Sequence, residues 1–444
     1  MGPNALSFSS LRDFEAIYGF NKSIEKGEFY DFGREPRTGS ESIFSARTDA
    51  AHREHRRKVF GPALSGAKIA GYNPVVARHV DVLLSRLDTE VKRNTTVDVA
   101  IFVHKYTLDT MLEVIYGEKL SPQPYTDAPT ASGTLVAFRM MSKMAWGAAL
   151  LPWFGWLMST RVMTDLLRKP KFDTEGRLKD ISALVAGSRS LILTHPEQVL
   201  HSHQASIVKN WLGVPADDPK KMEPGEVWAE AFNLVFAGLG STAAALTLVL
   251  FCLGTPEGRV WQEDIRLEAK GADVVASSTS IPQVLLAVIK ETLRHHAPFP
   301  TAFPRTIIPG AETAIPNLLA PLPVGTLVSA HTYVLGRSKE IWGEDADKWM
   351  PQRWLGSEHD RREMEEKFVV FSKGSRGCVG KDLAMLMIAK AVLGLVGRWK
   401  WKSIGEMKGK SFLEMQYEEC RIMFQEDDGE RESMLMRSSL EVIK

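Results

Sequence analysis

The chain has 444 residues, 44% of them hydrophobic and 25% charged, with 55 Lys+Arg against 54 Asp+Glu. A chain of this size and mix folds around a large core, and its charge balance supplies no global field for nucleic acid or an acidic partner. Three cysteines, Cys252, Cys378 and Cys420, are too few and too scattered for a disulfide framework and suit a reducing compartment.

Residues 1–10 lack the basic and apolar regions of a secretory leader. Mixed apolar and charged residues at helical spacing predict helices over 51–64, 75–91 and 107–116. The basic run at 53–58 falls on the first of these and reads as a solvated face. Residues 144–160 are uncharged but interrupted by Pro152 and Gly155; their Trp146, Trp153 and Trp156 suit either a membrane interface or an apolar segment packed on the core.

Residues 226–253 read as one long helix, with Pro224 before its start and Gly254 and Pro256 at its end. It is long and apolar enough to cross a membrane. Asn233, Gly238, Gly240, Ser241 and Thr242 in its middle predict instead a core helix surrounded by protein. A further helix over 281–294 is stopped by Pro298. Proline and glycine then punctuate short apolar runs at 306–308 and 326–330, which read as strands. Residues 337–355 read as irregular, and a glycine-rich loop leads into an apolar helix over 381–399. With no repeat, low-complexity tract or linker, residues 1–444 read as a single domain, mainly α with a small β-rich part and a long central helix.

Chemistry concentrates in the loop Phe371-Ser372-Lys373-Gly374-Ser375-Arg376-Gly377-Cys378-Val379-Gly380. A cysteine flanked by glycines at the start of a helix can be held as a thiolate by backbone N–H groups and the helix N-terminus. The glycines Gly374 and Gly380 allow a tight turn around the sulfur. The loop resembles the cysteine-ligand loop of the cytochrome P450 family, F-x-x-G-x-R-x-C-x-G, at all five fixed positions. Glu291-Thr292-Leu293-Arg294 is similar to that family's E-x-x-R, and Pro351-Gln352-Arg353 to the downstream segment whose arginine joins the pair.

The resemblance implies haem b held by Cys378 as the iron ligand, with Phe371 shielding its proximal face and Arg376 meeting a propionate. It implies further propionate partners in Arg56, where His52 replaces the usual tryptophan, and in Arg305. It implies a buried Glu291–Arg294–Arg353 cluster needed for haem incorporation. Ala237-Gly238-Leu239-Gly240-Ser241-Thr242 aligns with the oxygen-activation motif A-G-x-[DE]-T-[TS], giving Gly238, Ser241 and Thr242 catalytic roles. Gly240 stands where the motif has its acid. Proton delivery is therefore expected to rely on water, on the two hydroxyls, or on substrate.

Members of the microsomal fungal type carry an anchor, a hinge and first structural elements ahead of the segment that matches here, so the chain is expected to begin after them. The resemblance further implies an NADPH-dependent monooxygenase, working as a monomer on an apolar small molecule with O2 and NADPH-cytochrome P450 reductase. Secondary metabolism and the endoplasmic reticulum membrane surface are its expected setting. Residues 31–46 and Phe299 to Ala302 are expected to line the substrate cavity. Two other functions stay open: a reductase-independent isomerase or dehydratase, favoured by Gly240, and a non-catalytic pseudoenzyme.

Overall fold

The computed structural model describes residues 4–20, 24–35, 39–93, 96–117, most of 140–151, 177–270, 278–316 and 318–426. Its centre is the predicted long helix, α5 (Pro224–Gly254). Pro224 at the first helical position and reciprocal capping by Glu223 and Glu226 start it, since a missing N–H costs nothing there. At 1.5 Å per residue it runs about 46 Å. Among the described residues it alone is long and apolar enough to cross a membrane, yet most of it is buried in protein. Its main neighbours are α4 (Val99–Tyr116), α6 (Gln283–His295) and α7 (Lys381–Val396), with α3 (Gly66–Arg93) joining α4 and α7. Close approach is bought at particular positions: a side chain on Gly254 would strike the Ser403 backbone, and one on Gly238 would strike the Met111 side chain of α4.

Smaller helices α1 (Leu11–Tyr18) and α2 (Asp49–Ala63) precede the bundle, capped by Ser10 and Thr48 side chains. Sheet structure is confined to short strands. β1 (Ala5–Phe8), β2 (Glu25–Lys26), β4 (Arg305–Thr306) and β5 (Leu327–Ala330) form one sheet in the order β1-β5-β4-β2, with β1 parallel to β5. β3 (Thr96–Asp98), β6 (Trp399–Ser403) and β9 (Arg421–Glu426) form a second, and β7 (Lys408–Ser411) with β8 (Met415–Glu419) a hairpin.

Periodicity misses β1, β2, β3 and all four C-terminal strands. The last predicted helix ends at Val396, and Trp399 opens β6 instead. In β6, Trp399 and Trp401 turn inward while Lys400 and Lys402 turn out, an alternation too short to stand out from the apolar helix before it. The stretch 337–355, expected to be irregular, contains the one-turn helix Lys339–Trp342 and the 3-10 turn Pro351–Trp354. Residues 152–160 lie outside the described residues; Trp146 is described and meets Phe29 edge to face, 6.1 Å between centroids.

Candidate functional site

The loop between Phe371 and Gly380 folds back on itself: Cys378 N–H donates to the Phe371 carbonyl at 2.9 Å and Gly377 N–H to the Gly374 carbonyl at 3.2 Å. Two residues in it have left-handed backbones, Ser372 (φ 59) and Gly374 (φ 73). Gly374 needs to be glycine twice over, because a Cβ there would also lie 2.5 Å from the Tyr18 carbonyl oxygen. Gly380 carries no such demand. Val379 and Gly380 do form a turn, but with φ −92 and nothing within 4 Å of where a Cβ would sit that turn does not itself demand glycine; the residue leaves open space and serves as the N-cap of α7.

Cys378 is exposed, whereas Cys252 and Cys420 are buried. Its thiol is nevertheless pushed up by burial. Both statements hold for a side chain that lines a hollow deep inside the molecule. Pulling the thiol back down are the N–H of Gly380, the charge of Arg56, and the N–H and charge of Lys381, which is the donor set a thiolate requires. Arg56 reaches the loop from α2, donating to the Gly377 carbonyl at 2.8 Å. Phe371 packs edge to face on Phe368, and the Lys381 Nζ lies 5.7 Å from its ring centre.

A group of buried cations lies beside this loop. Lys26 and Arg305 are partners in the β2–β4 register, and Arg376 acts on Lys26 electrostatically. Arg305 is stacked between Tyr18 and Tyr30, 5.0 and 5.2 Å from their centres, and donates to the Tyr30 hydroxyl. Arg376 donates to the Ile24 carbonyl at 2.8 Å and stands 2.7 Å from Asp49. Burial, then the charges of Arg305 and Arg376, drive the Lys26 ammonium well below its ordinary value. His52, between Lys26 at 3.2 Å and the Ser375 carbonyl at 3.3 Å, is held neutral, with its pKa lowered to about 2 by burial and Lys26. The Nε atoms of Arg305 and Arg376 are buried without a partner. Unpaired buried donors on crowded cations are costly, and an anionic ligand would relieve both faults. The residues therefore fit a flat cofactor that offers carboxylates on one edge and an open metal position to a thiolate.

The middle of α5 is open in an otherwise largely buried helix. Ala237 is exposed, and Gly238, Gly240 and Ser241 are part-exposed. The Ser241 hydroxyl donates to the Ala237 carbonyl at 2.6 Å. Thr242, the next residue, is turned into the core at 2% exposure. Half-buried aromatics lie near Arg305, whose guanidinium donates to the Phe303 carbonyl at 3.4 Å: Phe29 meets Phe303 edge to face at 6.4 Å, and Phe303 meets Phe299 at 5.5 Å.

The Glu291 cluster assembles as the spacing predicts. Arg294 is fully buried against Glu291 at 2.7 and 2.8 Å, and Arg353 reaches the same carboxylate at 3.3 Å. The Trp354 indole and Met350 N–H also donate to it, at 3.0 and 2.8 Å. Arg294 further binds the carbonyls of Gly336, Ala346 and Lys348. These contacts make the cluster a clamp on residues 336–354, which meets the cysteine loop through the rings of Trp354, Phe368 and Phe371.

Sequence reasoning missed Lys26, Tyr30 and Glu414. The carboxyl of Glu414, from the β7–β8 turn, lies against Gly240. No local signal announces them, since Lys26 meets the site through strand pairing, Tyr30 from the short 3-10 helix Glu28–Gly33 and Glu414 from a turn.

The cytochrome P450 family model matches residues 19–425. The chain is 26% identical over 405 residues to cytochrome P450 monooxygenase mpaDE of Penicillium roqueforti (strain FM164), covering 88% of this chain and 46% of that protein. It is 25% identical over 418 residues to cytochrome P450 monooxygenase esdpH of Penicillium shearii, covering 90% of this chain and 80% of that protein. The chain thus spans about half the length of some curated relatives it matches and most of others. The crystal structure of the cytochrome P450DA heme domain superposes with a TM-score of 0.73 at 14% identity, over 95% of this chain and 88% of that one, a likeness of fold.

Proposed function

The chain belongs to the cytochrome P450 family, and from that premise we propose that it is a haem-thiolate monooxygenase that oxidises an apolar small molecule. The observation that carries the reading is the accessible Cys378, met by the donors of Gly380, Lys381 and Arg56, in a chain whose central helix α5 has an open strip at 237–241. Haem b bound there would supply O2 binding and, through electron density from the thiolate, O–O cleavage.

The chain's own residues do the rest. Cys378 would hold the iron, and the cations Arg305 and Arg376, with Lys26 behind them, would hold the propionates. Arg56 acts on the sulfur loop through the Gly377 carbonyl and lowers the thiol, and the rest of its guanidinium would meet a propionate. The Ser241 hydroxyl, fixed by its bond to Ala237, can accept and pass on a proton at its oxygen. The wall of Phe29, Phe303 and Phe299 excludes water and favours an apolar substrate. Electrons would come from a flavoprotein of the NADPH-cytochrome P450 reductase kind. A monomer at the endoplasmic reticulum membrane surface and a place in secondary metabolism complete the proposal, supported by the kinship with fungal monooxygenases.

The test is the dithionite-reduced carbon monoxide difference spectrum of the purified chain, followed by turnover with and without reductase and NADPH. A strongly red-shifted Soret band, lost in Cys378→Ser, with product only when the reductant is present, is the expected result. Product without reductant would favour an isomerase or dehydratase.

A further inference from the structure

We propose that Glu414 is the proton-holding carboxyl of the distal site, filling the place that the missing side chain of Gly240 leaves on α5. The inference rests on the haem-thiolate reading and deepens it. Gly240 lies on the open strip of α5, one residue before Ser241. A Cβ on Gly240 would stand 2.8 Å from Glu414 Oε1, 3.1 Å from Cδ and 3.2 Å from Cγ. The end of the glutamate side chain thus rests on the glycine, and residue 240 could not carry its own side chain without displacing it.

The carboxyl is held there by the fold. Glu414 sits in the turn between β7 and β8, and that turn is tied down on both sides. Thr301 Oγ1 donates to the Leu413 carbonyl at 2.8 Å, and Met415 N–H donates to the Pro298 carbonyl at 2.8 Å. Both ties run to the segment that follows α6, where Phe299 belongs to the aromatic wall. Glu414 itself is only 8% exposed. Its Oε1 accepts from Ser142 Oγ at 2.7 Å and from Gln416 Nε2 at 3.2 Å.

The company it keeps is neutral. Burial pushes the carboxyl up, and among the described residues the groups that pull it back are Ser142, Gln416 and its own amide, with no cation among them. A buried carboxylate in a purely structural role is ordinarily met by an arginine or lysine, as Glu291 is here. A buried acid without such a partner favours its protonated form, and a protonated acid resting on the open strip of α5, against the residue that precedes Ser241, is a general acid in waiting.

The chemistry balances. One O2, two electrons from the flavoprotein, two protons and the substrate C–H give one C–OH and one water. Glu414 gives up one of those protons through Ser241 or a bridging water and recovers one from solvent, so it ends each cycle unchanged.

The experiment compares holoenzyme of the wild type, Glu414→Gln, Glu414→Asp and the double variant Gly240→Asp/Glu414→Ala, which clears the space that a side chain at 240 needs. Four readouts are taken: the carbon monoxide band, the infrared carboxylic C=O stretch, substrate affinity, and product and peroxide formed per NADPH. The expected result is an intact carbon monoxide band in all four. A carboxylic stretch present in the wild type is absent in Glu414→Gln. Product per NADPH falls at least about tenfold in that variant, with peroxide rising to match and an enlarged solvent isotope effect. Glu414→Asp and the double variant recover part of the coupling.

Wild-type coupling in Glu414→Gln, or a carboxylate stretch in place of the acid at neutral pH, overturns the proposal. So does weaker substrate binding with unchanged coupling, which would make Glu414 a specificity residue. Loss of the carbon monoxide band in Glu414→Gln alone would make it structural and overturn the proposal as well. A wild type without that band would instead bring down the haem-thiolate reading beneath it.

Discussion

Lys26 and Arg305 stand directly opposite each other on adjacent strands β2 and β4, both buried at 6% and 4% exposure. Like charges across a strand pair are destabilising, and Arg376 adds a third cation to the same group. Such a site is built for an anion. Arg305→Gln is expected to weaken haem retention by roughly ten- to a hundredfold, the loss of one charge-assisted bond. The rate of haem transfer to apomyoglobin measures it, and a rate equal to the wild type would refute the assignment.

The Glu291 clamp predicts a different loss. Glu291→Ala leaves Arg294 and Arg353 charged and buried without their shared carboxylate, at a cost of about 3–5 kcal/mol. Residues 336–354 should loosen and haem incorporation should fail. The ratio of Soret to protein absorbance and a thermal melt would show it; a variant with full haem would contradict the clamp.

In the cysteine loop, two left-handed residues should respond in opposite ways. Gly374→Ala meets a disfavoured backbone, worth about 1–2 kcal/mol, and strikes the Tyr18 and Gly19 backbone, so haem binding and stability should both fall. Ser372→Gly removes the same kind of strain at φ 59 and should stay within about 1 kcal/mol of the wild type. Urea unfolding of the two variants compares them.

His52 sets a pH window. Its folded pKa is lowered from 6.5 to about 2 by burial and by Lys26. Above pH 6.5 the ring is neutral in both folded and unfolded chains, and the stability is fully present. As pH falls below 6.5 the unfolded chain takes up a proton that the folded one refuses, so stability is lost at about 1.4 kcal/mol per pH unit from this residue. His52→Gln should flatten the stability profile between pH 6 and 3 by about one proton's worth, read from unfolding free energies across that range.

Cysteine accessibility gives a direct check on the hollow. In haem-free protein under native conditions, iodoacetamide should modify Cys378 and spare Cys252 and Cys420, which are buried, Cys252 with its thiol pushed up to about 12. Mass spectrometry of the peptides would report it, and reconstitution with haem should protect Cys378.

What the sequence by itself determined lies within single elements. The spacing from Phe371 to Gly380 makes one loop, Glu291 and Arg294 share a face because three residues nearly complete a helical turn, and the apolar run at 226–253 requires a helix surrounded by protein. Only the tertiary structure decided the pairing of Lys26 with Arg305, the turning of Thr242 away from the open strip, and the meeting of Glu414 with Gly240. Those contacts join segments 174 to 279 residues apart or depend on which helix face is covered, and strands as short as two residues carry no period of their own. Their positions follow from chain packing, to which local spacing is blind.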